Sequence, residues 1–190
     1  DVDKESDSHN STTPLYSAAE RGNEAVVRAL IEAGADVNTD GESGSPLRIA
    51  SKEGHVAVMR MLIKAGANVN RACDYIDNGY LLYCAAASGD EPILRILIEA
   101  GADVNKATED GLKPLFIATC HSHETVVRAL IEKGAVVNTA WYAVDDGTPL
   151  YGAAEDDHET VVRALIEKGA VVNKSGDNGM TPLYIAAKNG

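Results

Sequence analysis

Apolar residues recur along this chain in short stripes at helical spacing. The stripe formed by Val26-Val27 and Leu30-Ile31 places four apolar side chains on one face of a helix, because residues three or four apart share a face. A glycine follows each stripe, where a residue in the left-handed region can end the helix. The alanine pair Ala18-Ala19 lies upstream and predicts a thin helix that neighbours can approach closely. The pattern therefore predicts short helix pairs, one helix thin and the other amphipathic.

The helix pair recurs with a period near 33 residues. Most copies open on Thr-Pro-Leu or a close variant, and proline at the first helical position loses no hydrogen bond. Successive copies close on asparagines that are 32, 35, 33 and 35 residues apart: Asn38, Asn70, Asn105, Asn138 and Asn173. No single pair can bury its own apolar stripe, so stacking of neighbouring pairs has to form the core.

This period, with its Thr-Pro-Leu opening and alanine-rich turn, resembles the ankyrin repeat. The resemblance implies an all-α solenoid of stacked antiparallel helix pairs, with an extended "finger" loop after each second helix. We expect an acidic polar leader at 1–12 and a repeat domain at 13–190, with repeats at 13–44, 45–79, 80–112, 113–147 and 148–180 and a partial repeat at 181–190. Since the sixth copy stops after its first helix, we interpret the chain as a fragment or the ordered part of a longer one, and expect Leu183 and Ile185 to lack cover.

Three departures from the family pattern stand out. The third repeat opens on Tyr80-Leu-Leu-Tyr and loses both cap and proline, so its first helix is expected to begin weakly. Residues 123–138 and 158–173 are the same sixteen residues, which indicates that these second helices are scaffold. The histidine usual after Thr-Pro-Leu is replaced by residues that we interpret as structural, mostly aromatic: Tyr16, Arg48, Tyr83, Phe116, Tyr151 and Tyr184.

Charge and composition narrow the class of ligand and the compartment. The net charge of −12 argues against nucleic acid and against anionic membrane surfaces, both of which need clustered Lys and Arg. No apolar run reaches eighteen residues, so no transmembrane helix is expected. The three cysteines have no zinc-like spacing, which favours reduced thiols in the cytoplasm or nucleus.

The sequence shows no catalytic constellation. The best local candidate is Cys120-His-Ser-His-Glu124, which holds several potential metal ligands, but its His123 aligns with His55 and His158 and so has the mark of a repeated structural position. No Gly-rich phosphate loop, HExxH or Ser-His-Asp pattern occurs. An arginine column mostly has glutamates four residues away, as in Glu124-Arg128-Glu132, which indicates pairing along helices. We therefore expect a non-enzyme without cofactor or metal.

Two features favour protein binding instead. Between Lys133 and Arg163 the chain holds six acids and no Lys or Arg: Asp145, Asp146, Glu155, Asp156, Asp157 and Glu159. The fingers before the third and fifth repeats are longer than the period requires and carry aromatic residues: Tyr75, Trp141 and Tyr142. Aromatics on a loop held by a rigid scaffold are typical partner anchors. A solvated acidic face and a Trp141 that folds back onto its neighbouring finger are the structural alternatives.

We therefore expect a monomeric, non-catalytic module that binds a protein or peptide with basic residues in a concave groove. The finger aromatics would anchor the partner, the acids would select it, and first-helix residues would form the groove floor: Lys52, Glu53, Ala87, Ser88, Cys120, His121, Glu155 and Asp156. Two alternatives stay open: the regulatory or targeting arm of a larger protein, such as a ligase adaptor or effector, and an inert structural spacer.

Overall fold

A computed structural model of the chain describes residue 3 and residues 12–40, 44–71, 80–139, 147–175 and 179–189. Within them the structure is helical, and extended pairing is limited to isolated bridge positions at Gly44 and Tyr80. The helices are α1 Pro14–Glu20, α2 Glu24–Glu32, α3 Pro46–Lys52, α4 Val56–Lys64, α5 Leu81–Ser88, α6 Glu91–Glu99, α7 Pro114–Cys120, α8 Glu124–Glu132, α9 Pro149–Glu155, α10 Glu159–Glu167 and α11 Pro182–Asn189. The all-α prediction is confirmed.

The first helix of most repeats begins as the sequence predicts, with a hydroxyl cap followed by proline. The Thr13 hydroxyl oxygen accepts a hydrogen bond from the Tyr16 amide at 3.1 Å, and Thr148 does the same for Tyr151 at 3.2 Å. These bonds satisfy amides that have no partner inside the helix. In the third repeat α5 begins at the equivalent place without proline, and its weaker start stays a prediction.

The second helices are all nine residues long and end at glycine as predicted. The glycine that follows each helix has φ between 88° and 96°: Gly34, Gly66, Gly101, Gly134 and Gly169. Residues other than glycine rarely adopt this backbone conformation, so the position of the glycine determines where each helix ends. Within the described residues, no helix has the length and hydropathy that crossing a membrane requires.

The chain divides into two compact units. The first comprises residues 1–81 and 99–101; in it α1 packs on α2 and α3, and α4 packs on α2 and α3. Its core is aliphatic, with the largest fully buried side chains being Leu15, Val27, Leu47, Val58, Met59 and Leu62. The scarcity of aromatic residues in the sequence thus matches a core made by closely stacked short helices.

The second unit comprises residues 82–98 and 102–190. Here α7 packs on α8 and α9, α10 packs on α8 and α9, and α11 packs on α9. Its largest fully buried side chains include Leu94, Leu97, Val126, Leu130 and Leu165. Within each unit, neighbouring helix pairs stack in register, so the stripes that no repeat could bury alone are buried by the next repeat.

The closing asparagines link consecutive repeats within each unit. In the second unit the Asn138 side-chain amide donates to the Gly169 carbonyl at 3.1 Å, and its oxygen accepts from the Val171 amide at 2.8 Å. In the first unit Asn38 makes the same two bonds, to the Gly66 carbonyl and the Asn68 amide. A single side chain thereby satisfies a helix-end carbonyl and a loop amide of the following repeat.

The sixth repeat differs in part from expectation. Leu183 is 74% exposed, as predicted for a helix without a following partner, but Ile185 is only 3% exposed. The prediction for Ile185 was wrong because the two residues lie on different faces of α11. Ile185 lies on the face that packs against α9, whereas Leu183 lies where a second helix packs in the other repeats.

Candidate functional site: the ends of the first helices

The predicted groove-floor residues of the second unit occupy equivalent places in three successive repeats. Ala87 and Ser88 are the last residues of α5, Cys120 ends α7 with His121 as its C-cap, and Glu155 ends α9 with Asp156 as its C-cap. His121, Glu155 and Asp156 are exposed, while Cys120 is half-buried. The structure therefore presents these side chains as a row at the ends of stacked first helices.

Contacts between α7 and α9 bring together the row residues of the fourth and fifth repeats. A Cβ atom on Gly152 would lie 3.6 Å from the Cys120 sulfur and 3.8 Å from Phe116. Glycine at this point of α9 leaves room for the larger side chains of α7. The closeness of the helices places the Cys120 thiol within the field of the carboxylates at the end of α9.

Burial and, to a smaller extent, the negative charges of Asp156 and Glu155 together raise the pKa of the Cys120 thiol to about 11. Each effect disfavours the thiolate, the first by removing water and the second by repulsion. The reactive form of cysteine is the thiolate. Cys120 is therefore an uncharged, weakly polar part of the floor, and this environment is unlike that of a catalytic nucleophile.

The backbone beneath the row is held by the following repeat. The Nε2 atoms of His123 and His158 lie 3.1 and 3.2 Å from the carbonyl oxygens of Ala87 and Cys120. In the last repeat the Asn189 amide donates to the Glu155 carbonyl at 2.9 Å. Each of these carbonyls belongs to a predicted floor residue, so these bonds fix the backbone of the row without using the floor side chains.

These bonds confirm the structural interpretation of the repeated histidine. In the first unit the His55 ring makes the same contact, with Nε2 lying 3.0 Å from the Glu20 carbonyl oxygen. His121 lies stacked on His123, with ring centroids 5.9 Å apart, and its Nδ1 lies 3.0 Å from the Ile117 carbonyl. Among the described residues, no three His, Cys, Asp or Glu side chains are grouped to hold a metal.

The acidic residues after Lys133 differ in whether their carboxylates are available to a partner. Glu155, Asp156 and Asp157 are exposed at the end of α9. Glu159 instead forms an ion pair with Arg163 on its own helix at 2.6 Å. The acidic part of the row therefore consists of three neighbouring carboxylates, and Glu159 lies in the scaffold.

Several predicted site residues fall elsewhere. Lys52 and Glu53 occupy the equivalent end of α3 in the first unit, where both are exposed. The predicted finger residues lie outside the described residues, so their roles stay predictions: Tyr75, Trp141, Tyr142, Asp145 and Asp146.

Arginines of the second helices pair along the helix as predicted in the later repeats, at Arg95, Arg128 and Arg163, whereas Arg28 forms no ion pair with Glu24 or Glu32 in the described structure. Arg95 bonds Glu91 at 2.7 Å, and Arg128 bonds Glu124 at 2.9 Å. The bond from Arg128 lowers the pKa of Glu124, and the same bond raises that of Arg128. Sequence reasoning missed that Arg128 also reaches Glu167 of the next repeat at 3.5 Å. The sequence signal for this contact was the recurrence in successive repeats of an Arg with a Glu four residues after it.

Aromatic residues at the family's histidine position are structural where the stack covers them. Tyr16 and Tyr151 are buried, which confirms the interpretation, whereas Tyr184 on α11 is more than half exposed. The difference follows the position in the stack, since the three tyrosines occupy equivalent places in their repeats. A polar tip with an apolar ring suits a position that is half covered.

Comparison with known proteins agrees with this architecture. A family model described as "Ankyrin repeats (3 copies)" matches residues 1–73 and 72–140, and one described as "Ankyrin repeats (many copies)" matches 150–190. The crystal structure of the human ASB11 ankyrin repeat domain is similar at 30% identity and a TM-score of 0.76, covering 93% of this chain and 78% of that one. A comparison with curated protein sequences gives no significant match. Because 612 chains of solved structures match significantly, the likeness defines the architecture and leaves the partner open.

Proposed function

Since this chain belongs to the ankyrin-repeat family, whose repeats serve as protein-interaction modules, we propose that it is a non-catalytic module that binds a protein or peptide partner. Binding takes place on the row at the ends of the first helices. The partner presents Lys or Arg to the acidic end of the row. In this proposal the protein acts as a monomer in the cytoplasm or nucleus and uses no cofactor.

The observation that carries the proposal is the fixed backbone beneath variable, outward-facing side chains. Three successive repeats tie the carbonyls of Ala87, Cys120 and Glu155 to the next repeat. The duplicated segments 123–138 and 158–173 are identical, yet the floor residues before them differ: Cys120-His121 in one repeat and Glu155-Asp156 in the next. A rigid surface has little ordering cost on binding, and the varied side chains supply specificity.

Charge supports a basic partner. Glu155, Asp156 and Asp157 are exposed side by side, and no Lys or Arg lies between Lys133 and Arg163. Complementary charge chiefly raises the association rate and excludes acidic competitors. We therefore expect binding to weaken as salt rises.

The finger aromatics complete the proposed site. Tyr75, Trp141 and Tyr142 would supply apolar anchors for the partner, and Asp145 and Asp146 would add negative charge. Large aromatic side chains that fill a partner's pocket commonly dominate binding energy. Lys52 and Glu53 provide the corresponding surface in the first unit.

The test is a cross-linking pull-down that compares the wild type with Glu155→Lys/Asp156→Lys at two salt concentrations. The matched control is Glu32→Lys/Glu132→Lys, which changes net charge equally at the exposed ends of second helices. A partner lost only by the first variant supports the proposal. A partner retained by that variant and lost by the control would place binding on the second helices instead.

A third arm, Trp141→Ala, separates the anchor from the charges. Loss of the same partner with an unchanged melting temperature supports the anchor role. The proposal fails, and the spacer interpretation is favoured, if the wild type captures no partner beyond those that an unrelated ankyrin-repeat domain also captures.

A further inference from the structure

A groove lies between the second helices α2 and α4 of the first unit. It has a volume of about 320 Å³, and it is lined by Arg28, Ile31, Glu32, Met61, Lys64 and Ala65. Ile31 and Met61 are half-buried and form an aliphatic floor, whereas the three charged residues are exposed at its rim. The groove therefore offers an apolar side chain a place beside charged groups.

Helix α4 differs from the other second helices at positions that line this groove. The helices α2, α6, α8 and α10 each begin and end on glutamate, whereas α4 begins on Val56 and ends on Lys64. The place of Met61 is taken by alanine in three of those helices: Ala29, Ala129 and Ala164. Met61 and Lys64 thus distinguish this groove from the equivalent surface of the later repeats.

The second unit shows what the charged rim lacks. There Arg128 of α8 pairs with Glu167 of α10 at 3.5 Å. The aligned residues of the first unit are Arg28 and Lys64, so two cations line the groove where the later repeats pair a cation with an acid. An anion bound between these two cations would take the place of the missing carboxylate.

The cations around the groove are available to a ligand. Within the part of the chain that the structure describes, no ion pair involves Arg28, Arg60 or Lys64, and all three are exposed. Arg60 lies one turn before Lys64 on α4, whose nine residues include both cations and no acid. In a chain of net charge −12, this helix is a local positive surface that attracts negative charge.

We propose that the groove binds an acidic segment of another protein. An apolar side chain of that segment lies on Ile31 and Met61, and a neighbouring carboxylate binds between Arg28 and Lys64. Nucleic acid fits this surface less well, because the floor is aliphatic, Glu32 lies at the rim, and phosphate binding relies on many clustered cations. The interaction uses other residues and the opposite charge from the row at the first-helix ends, so it does not depend on the function proposed above.

The probe for the test is a labelled peptide of sequence Asp-Glu-Phe-Leu-Glu-Asp. Fluorescence anisotropy with the full chain should show saturable binding that weakens as salt rises. A peptide with serines in place of Phe-Leu, and one with lysines in place of the four acids, should each bind about tenfold more weakly or worse. Each of these peptides lacks one of the two features that the groove recognises.

The decisive variant is Lys64→Glu, which should weaken peptide binding by about tenfold or more. It supplies the glutamate on which the other second helices end, so Arg28 can pair with it as Arg128 pairs with Glu167, and the chain should stay folded. The matched control is Lys133→Glu, the same charge change at the exposed C-cap of α8, which should leave binding unchanged. Lys64→Gln removes the charge alone and replaces the first variant if circular dichroism shows that it is misfolded.

Two further variants separate the floor from the rim. Met61→Ala introduces the residue found at this place in three other second helices, and it should weaken binding several-fold because it removes apolar contact. Glu32→Gln removes the acid among the lining residues and should strengthen binding a few-fold, since it no longer repels the peptide.

Three results overturn the proposal. They are absence of saturation up to about 1 mM peptide, equal binding by Lys64→Glu and Lys133→Glu, and tighter binding of a short oligothymidylate than of the peptide with the same dependence on Lys64. The last would assign the groove to nucleic acid. The variant Glu155→Lys/Asp156→Lys should bind the peptide as the wild type does, so failure of this proposal and failure of the one for the first-helix ends are read from different variants.

Discussion

Gly89 lies directly against the imidazole ring of His123: a Cβ atom on Gly89 would be 2.6 Å from Nδ1, closer than real contacts allow. Gly22 stands in the same relation to His55, at 2.7 Å. Gly89 thus adopts the positive φ of 73° that the turn requires. Its missing side chain also leaves room for the His123 ring, which contacts the Ala87 carbonyl. At the equivalent place before His158 stands Ser122, which has φ 57° and carries a Cβ.

We predict that Gly89→Ala destabilises the protein by about 2 kcal/mol or more, because the new methyl group displaces the ring and left-handed backbone is unfavourable for alanine. Urea unfolding followed by circular dichroism measures the change. Gly101→Ala is the matched control, since that glycine has φ 90° but nothing within 4 Å of its Cβ position. An equal loss at both positions would mean that only backbone conformation matters.

The reverse substitution, Ser122→Gly, should stabilise the protein by about 0.5 kcal/mol. Relief of left-handed strain contributes about 1–2 kcal/mol, and the greater freedom of glycine in the unfolded chain offsets about 0.5–1 kcal/mol of it. Asp157→Gly tests the same effect in the next repeat, where φ is 56°. A fall in the urea midpoint for both variants would contradict the prediction.

Loss of a histidine bond between repeats should cost more than loss of one within a helix. His158→Ala removes the contact with the Cys120 carbonyl and should lower the free energy of unfolding by about 1–2 kcal/mol, because a carbonyl loses its partner. His121→Ala removes a contact with its own helix and its stacking on His123 within the same repeat, and it should cost under about 0.5 kcal/mol. Comparable losses would argue that the histidines act through packing alone.

Replacing Val136 by Asp should stabilise the loop after α8. In earlier repeats the side chain two residues before the closing asparagine accepts a hydrogen bond from the backbone amide of that asparagine, as Asp103 does from Asn105 at 2.9 Å. Val136 and Val171 occupy this place in the later repeats and are about half exposed. We expect a gain of about 0.5–1 kcal/mol from the added hydrogen bond, measured by thermal and urea unfolding.

Two further variants show whether that gain comes from the hydrogen bond. Val136→Asn supplies the same acceptor without a charge, as Asn68 does for Asn70, and should keep most of the gain. Val136→Lys removes the exposed apolar surface without supplying an acceptor. If the lysine variant gains as much as the aspartate variant, the gain comes from removing the exposed apolar side chain.

Cys120 should react slowly with iodoacetamide at pH 8. Raising the thiol pKa from 9.0 to about 11 reduces the thiolate by about 100-fold at that pH. Mass spectrometry can compare its labelling rate with that of Cys84, which is exposed, and the Cys120 rate should rise about tenfold per pH unit up to pH 10. Rates equal to those of Cys84 would show that the thiol is neither buried nor repelled.

Removing the neighbouring charges should speed that reaction only modestly. Carboxylates disfavour the thiolate, so Glu155→Gln/Asp156→Asn lowers the pKa of Cys120 and raises the rate. Burial is the larger cause of the raised pKa, so the gain should be only a few-fold. An increase that brings Cys120 to the rate of Cys84 would mean that charge is the main cause.

Local chemistry in the sequence was enough to predict the helices and their ends. Threonine followed by proline at Thr13 and Thr148 predicted where first helices begin, and glycine at Gly34 and Gly169 predicted where second helices end. These features depend on the backbone preferences of a few adjacent residues. The period also predicted that Cys120 and Glu155 occupy equivalent helix ends.

Tertiary structure alone decided what each repeated residue contacts. The sequence marked His123 as structural, but its bond to the Ala87 carbonyl requires a neighbouring repeat at a defined distance. Identical segments cannot differ in local preference, yet Val127 is buried and Val162 is only partly covered. Burial and hydrogen bonding between repeats depend on what packs alongside, and Leu183 is exposed where its counterparts form the core because no helix covers it in the described structure.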